Sequence, residues 1–168
     1  MRRFVLIVFT AAAAVLAAPA NAQTRQETVD QVVGLLREHG KIYHFNKQQK
    51  HVFSTEMGEI AVTDKELKVA QTLIFEYSSR TEPIRAPLTI QAPLRDLAAK
   101  PVAYRDRVEE TWYVQLRCVE ARGDCMSGRD VKNATKFSEA ELAMNDQNSA
   151  IRLARAIARL IQLANGGN

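Results

Sequence analysis

Four regimes of hydrophobic patterning divide the chain. From Phe4 to Ala18 apolar residues run on with Thr10 as the single interruption, and no polar face appears. Val29, Val32, Val33 and Leu36 then recur at i, i+3, i+4 and i+7, which lines them up along one stripe of a helix. Across residues 41–135 that period is lost, and β-branched and aromatic residues come in short clusters between polar turns, the grammar of antiparallel sheet. From Ile151 onward a helical period returns with a wider apolar arc, formed by Ile151, Leu153, Ala154, Ile157, Leu160, Ile161 and Ala164. An arc that wide must be buried on more than one side.

The first regime reads as a secretory leader. Arg2 and Arg3 precede an apolar run shorter than the ~20 residues a helix needs to cross a bilayer, and Ala20, Asn21, Ala22 supply the small residues of a cleavage site. Residues 1–22 are therefore expected to be removed, so that the mature chain begins at Gln23 in the periplasm or outside the cell with no stable membrane anchor. Gln23 offers no thiol for lipid attachment. Residues 23–168 suffice for one domain with its own core.

Thr24 and Glu27 have capping-box spacing, so the first helix is expected over residues 25–39, with Gly40 as its stop. Strands are expected at 41–46, 50–55, 59–63, 69–78, 88–92, 110–120 and 137–144, with turns at Met57, Gly58 and at Asp64, Lys65. For 138–144 the alternation of Ala140, Leu142 and Met144 with polar positions favours strand over helix. Pro83, Pro87, Pro93 and Pro101 mark an edge or a connection, because proline cannot donate to a ladder, and Leu94 to Leu97 fit one helical turn within it. Asn145 or Asp146 caps a last helix that runs to about Ala164 and stops at Asn165, Gly166, Gly167. Its Arg152, Arg155 and Arg159 share a narrow solvated face, while Ala154 and Ala158 would allow close approach to the first helix.

The fold class that follows is α+β: an antiparallel sheet of about six or seven strands with an N-terminal and a C-terminal helix packed on it, in one domain. Many strands followed by one closing helix resemble the pleckstrin-homology-type layout, which implies a partly closed barrel and, being an analogy of layout alone, no function.

Charge and motifs narrow the chemistry. The 23 basic residues include Arg2 and Arg3, so the mature excess over 19 acids is small, and no basic run marks a nucleic-acid footprint or a polybasic membrane patch. Cys118 and Cys125, the only cysteines, are expected to bond across a short loop in an oxidising compartment; a redox pair would stand two residues apart at a helix start. Inside that loop Arg122, Gly123, Asp124 resemble the integrin-recognition tripeptide, a possible binding loop, although Gly between charged residues is ordinary turn chemistry. His39, His44 and His51 are the only histidines; the last two would meet if 41–46 paired with 50–55, but two imidazoles fall short of a zinc set, so no metal and no cofactor is expected.

Hydrolase elbows, zinc-protease pairs and phosphate-cradling loops are missing, and the adjacent Glu109 and Glu110 on a strand would face opposite ways. Asn133, Ala134, Thr135 spell a glycosylation sequon. Trp112, Tyr113, Phe75 and Tyr77 are aromatics expected to pack across strands, or to mark a binding face where exposed. These readings favour an exported, non-catalytic protein that binds a protein or envelope partner, the alternative being a small secreted enzyme whose site the fold assembles.

Overall fold

A computed structural model describes residues 24–46, 51–107, 110–129 and 134–167. Residues 1–22, expected to form a leader, and Glu109 and Asn133 lie outside the described residues. No helix among the described residues is long and apolar enough to cross a membrane.

Helix α1 (Arg25–His39) opens with the expected capping box: the Thr24 hydroxyl accepts from the Glu27 N–H at 3.2 Å, and the Glu27 carboxylate accepts from the Thr24 N–H at 2.7 Å. Its buried line is Thr28, Val32, Leu35 and Leu36, rotated slightly from the sequence stripe, with Val29 and Val33 at its margin. Gly40 follows because there is no room for more: an added Cβ would lie 2.4 Å from the Leu36 carbonyl and 3.0 Å from the Met57 sulfur.

Helix α2 (Gln147–Ala164) is capped by Asp146, whose carboxylate accepts from the Ser149 N–H at 2.9 Å and the Ser149 hydroxyl at 2.7 Å. The C-terminal end of α1 is tied to the N-terminal end of α2, since Asn145 N–H donates to the His39 carbonyl at 2.8 Å, and the two helices pack against each other. At the far end of α2, the Arg95 side chain donates to the Ala164 carbonyl at 2.8 Å and so covers one of the orphan acceptors of the last turn. Ala154 and Ala158 lie beside Val102 and Ala103 of the small sheet described next.

Among the described residues nine antiparallel strands, more than the six or seven expected, form two sheets. The large sheet orders β1 (Tyr43–Asn46), β2 (His51–Val62), β3 (Glu66–Tyr77), β4 (Ile84–Pro93), β7 (Met126–Arg129) and β8 (Ala134–Phe137). The small sheet orders β5 (Val102–Arg105), β6 (Trp112–Arg117) and β9 (Glu139–Met144). Neither closes into a barrel. The ladder that begins at β1 stops at β8, and the chain then passes through Ser138 into β9 of the other sheet.

Several sequence expectations change for identifiable reasons. Met57 and Gly58 are no turn but an irregularity inside β2, where the register to β3 shifts between Met57 and Ile60 and the strand runs on. The proline-bearing β4 is an interior strand, tolerated because β7 pairs with Thr89 to Gln91 alone, leaving Pro87 and Pro93 outside that ladder. Leu94–Asp96 do form a single 3₁₀ turn, whereas β5, hidden behind Pro101, and β7 lacked a legible signal. Glu110 precedes β6 at φ 52° rather than lying on it. Residues 139–144 are strand, as the alternation favours.

One continuous core joins the layers. Leu67, Val69 and Ile90 on the inner face of the large sheet meet Val114, Leu116 and Leu142 of the small sheet, and Leu36, Leu153, Ile157 and Leu160 of the helices close over them. A second, smaller cluster of Ile42, Phe53 and Ala143, with Leu73, Phe75 and Tyr113, sits where the other face of the small sheet meets the far half of the large one.

Candidate functional site: an apolar cleft between the two sheets

The inner face of β3 carries Leu67, Val69, Gln71, Leu73 and Phe75 in strict alternation, each paired to an inward residue of β4 or β2: Gln71 with Leu88, Val69 with Ile90, Phe75 with Phe53. Leu67 and Val69 are sealed beneath the core, but from Gln71 onward these side chains line a cleft of about 560 Å³. Phe137 of β8 forms part of the same wall. Gly128 makes room for it, since a Cβ there would fall 2.4 Å from the Phe137 ring. The opposite wall is the small sheet's outward face, with Tyr113, Glu139, Glu141 and Ala143. Because odd-numbered residues keep one orientation through Ser138, the chain that forms the corner lines both walls, with Thr135 and Phe137 on one and Glu139, Glu141 and Ala143 on the other.

Polar groups in this cleft are few and differ in their engagement. Glu139 pairs with Arg117 at 3.1 Å and accepts from the Gln115 amide at 3.1 Å. Glu141 accepts from the Tyr104 hydroxyl, and Tyr104 stacks on Tyr113 with ring centroids 5.8 Å apart. Burial first, then the hydrogen bond to Glu141 and its negative charge, push the Tyr104 phenol above its ordinary value, so it stays protonated and donating at neutral pH. Gln71 stands apart: 5% exposed, it makes no side-chain hydrogen bond among the described residues, and its amide faces the cleft.

Apart from Phe75 and Tyr113, the residues singled out from sequence fall elsewhere. Cys118 and Cys125 form the expected disulfide, packed at the edge of the main core, where Cys118 bridges Leu97. In the loop they close, Arg122 is tied to Asp96 at 3.1 Å, Gly123 takes a left-handed φ of 56°, and Asp124 is exposed. The arginine of the tripeptide is thus folded back onto its own domain. β1 and β2 do pair, yet His44 stands opposite Phe53, and His51 is buried against Tyr77 and Phe75 at 5.0 and 6.0 Å rather than half-exposed. His39 sits at the helix joint, 3.2 Å from the Asn145 side chain. No group of three or more potential metal ligands occurs among the described residues.

The aromatics of the sequence reading are split between sheets: Phe75 and Tyr113 face each other across the cleft region instead of pairing along one sheet. Gln71, Leu73, Leu88, Phe137 and Glu141 were missed as site residues. The one signal for them was Gln71 itself, a polar residue at an inward position of an apolar alternation. No family model matches the chain, and no curated protein or solved structure matches it either.

Proposed function

We propose that this is an exported, non-catalytic binding protein of the periplasm or extracellular space, which takes an apolar molecule of the cell envelope into the cleft between its two sheets. The observation that carries the reading is the combination of apolar walls with the Gln71 amide. A cleft of about 560 Å³ lies within the size range of small-molecule sites, and such sites place a few polar groups among apolar ones to fix orientation. The Gln71 amide makes no hydrogen bond among the described residues and is reached from the open cleft, so a molecule that displaces water from it must satisfy it or strand it at a cost of roughly 1–3 kcal/mol. It offers both a donor and an acceptor. Glu139 is neutralised by Arg117 and Tyr104 is held protonated, so the polar groups around the cleft are suited to recognition rather than to proton transfer. The leader and the clasped Cys118–Cys125 loop support export.

The test uses the chain produced with its own leader and recovered from outside the cytoplasm, where sequencing of the product is expected to begin at Gln23. Its fluorescence titration with the neutral apolar probe N-phenylnaphthylamine should saturate, with the probe displaced by decanol. Leu88→Arg, which sets a charge on the cleft wall, should remove binding while the circular dichroism spectrum and melting transition persist. Absence of saturable binding, or equal binding by Leu88→Arg, rejects the cleft as a ligand site. A product retained in the cytosol with residues 1–22 attached rejects export independently.

A further inference from the structure

The cleft carries a sign of charge. Among the described residues, its lining includes the carboxylates of Glu139 and Glu141 and no cationic side chain. The two are not equivalent. Glu139 has the Arg117 guanidinium beside it, whereas Glu141 is held by a neutral hydroxyl, that of Tyr104, and no ion pair involves it among the described residues. The hydrogen bond holds the Glu141 carboxylate on the cleft wall without cancelling its charge. Beside it lie the stacked rings of Tyr104 and Tyr113, the second of which lines the cleft. A fixed carboxylate next to electron-rich ring faces is the chemistry that receives an ammonium or quaternary ammonium group.

We propose that the cleft selects single-chain amphiphiles with a cationic head, the chain lying along Leu73, Phe75, Leu88 and Phe137 and the head between Glu141 and the Tyr104–Tyr113 pair. This selection presupposes that the cleft is a ligand site at all, as proposed above. Anionic amphiphiles such as fatty acids are disfavoured: their carboxylate would meet Glu141 with no cation among the described lining residues to offset the repulsion. An exposed ion pair contributes little by itself, and the ring faces add a comparable amount, so the preference of a cationic over an anionic head should be roughly tenfold.

The experiment titrates the protein calorimetrically with decyltrimethylammonium, decanol and decanoate, each below its micelle-forming concentration. Decyltrimethylammonium is expected to bind roughly tenfold more tightly than decanoate, and added salt should narrow the gap. Glu141→Gln keeps the side-chain shape and the Tyr104 contact; it should erase the gap while decanol affinity, which reports the fold and the apolar walls, stays unchanged. If decanol binds but the two charged probes bind equally, or decanoate binds better, or the preference survives in Glu141→Gln, the selection is overturned and the cleft reading stands. If none of the probes binds the parent protein, the cleft reading itself falls.

Discussion

The inner face of the large sheet has two halves built from the same strands with the same alternation, and they end in different states. Near the β2–β3 turn, Ile60, Leu67, Val69, Ile90 and Ala92 are sealed beneath both helices and the small sheet. Toward the other end, Leu73, Phe75 and Leu88 stay half-buried and line an open cleft. Strand length accounts for the contrast. β2 and β3 have 12 residues each, whereas β6 and β9 have 6 and β5 has 4. At about 3.3 Å per residue, the long strands reach roughly twice as far as the short ones can cover. Alternation decides which side chains face inward; the length of the opposing layer decides which of them are closed over.

The largest test of that contrast substitutes one residue from each half. Ile157 of α2 is fully buried in the main core, so Ile157→Ala should lower unfolding stability by about 2–5 kcal/mol in urea titration. Leu73→Ala removes a similar volume from a wall that is already partly solvated, and its cost should stay near 1 kcal/mol. Equal losses would mean that the cleft is closed in solution and that the two halves are one core. The disulfide sharpens the same point, since both cysteines pack against the sealed half. Reduction should lower stability by about 2–3 kcal/mol in the chain-entropy account, yet leave apolar probe affinity unchanged under conditions where the fold persists.

A smaller effect is expected at the helix joint. Asp146→Ala removes the α2 cap and should cost about 1 kcal/mol. The hydrogen bonds from the Ser149 hydroxyl and N–H, with a further contribution from His39, hold the Asp146 carboxyl below the usual carboxylate range. A depressed folded value means that the contribution is present above the unfolded value and is lost as pH falls through the folded one. The difference in stability between parent and Asp146→Ala should therefore be constant near neutrality and shrink in acid, with no change in probe binding. A difference that grew as pH fell would reverse this assignment.

Much of the sealed half was legible in the chain. Thr24 with Glu27, the wide apolar arc of the last helix, Asp146 as one of two candidate caps, and the alternation of Ala140, Leu142 and Met144 all act locally, and each stands where it was expected. The cleft was not legible, because it arises from which strand lies over which. Phe75 and Tyr113 are far apart in sequence, and their meeting depends on the passage through Ser138 from one sheet to the other. The prolines misled for a related reason: whether a strand can hold Pro87 depends on how far its neighbour extends, and β7 is short enough to leave Pro87 unpaired on that side. Histidine pairing failed on register alone, since a hairpin can place His44 opposite Phe53 as readily as opposite His51.

Gln71 marks the boundary between the halves, and its substitution should give the smallest effect and the only one of opposite sign. It continues the inward line of Leu67 and Val69, so a leucine there would extend the sealed pattern by one position. Because the amide makes no hydrogen bond among the described residues, Gln71→Leu exchanges a polar side chain for an apolar one at an inward position without stranding a partner. Stability should therefore rise, by about 0.5–1 kcal/mol, where most buried substitutions lower it. The same change should leave affinity for a plain hydrocarbon chain intact and weaken an acyl chain that carries an amide or ester, since only the latter can use the lost group. A drop in stability would show instead that Gln71 has a structural partner in solution, and the polar mark that distinguishes the open half from the sealed one would then belong to the scaffold.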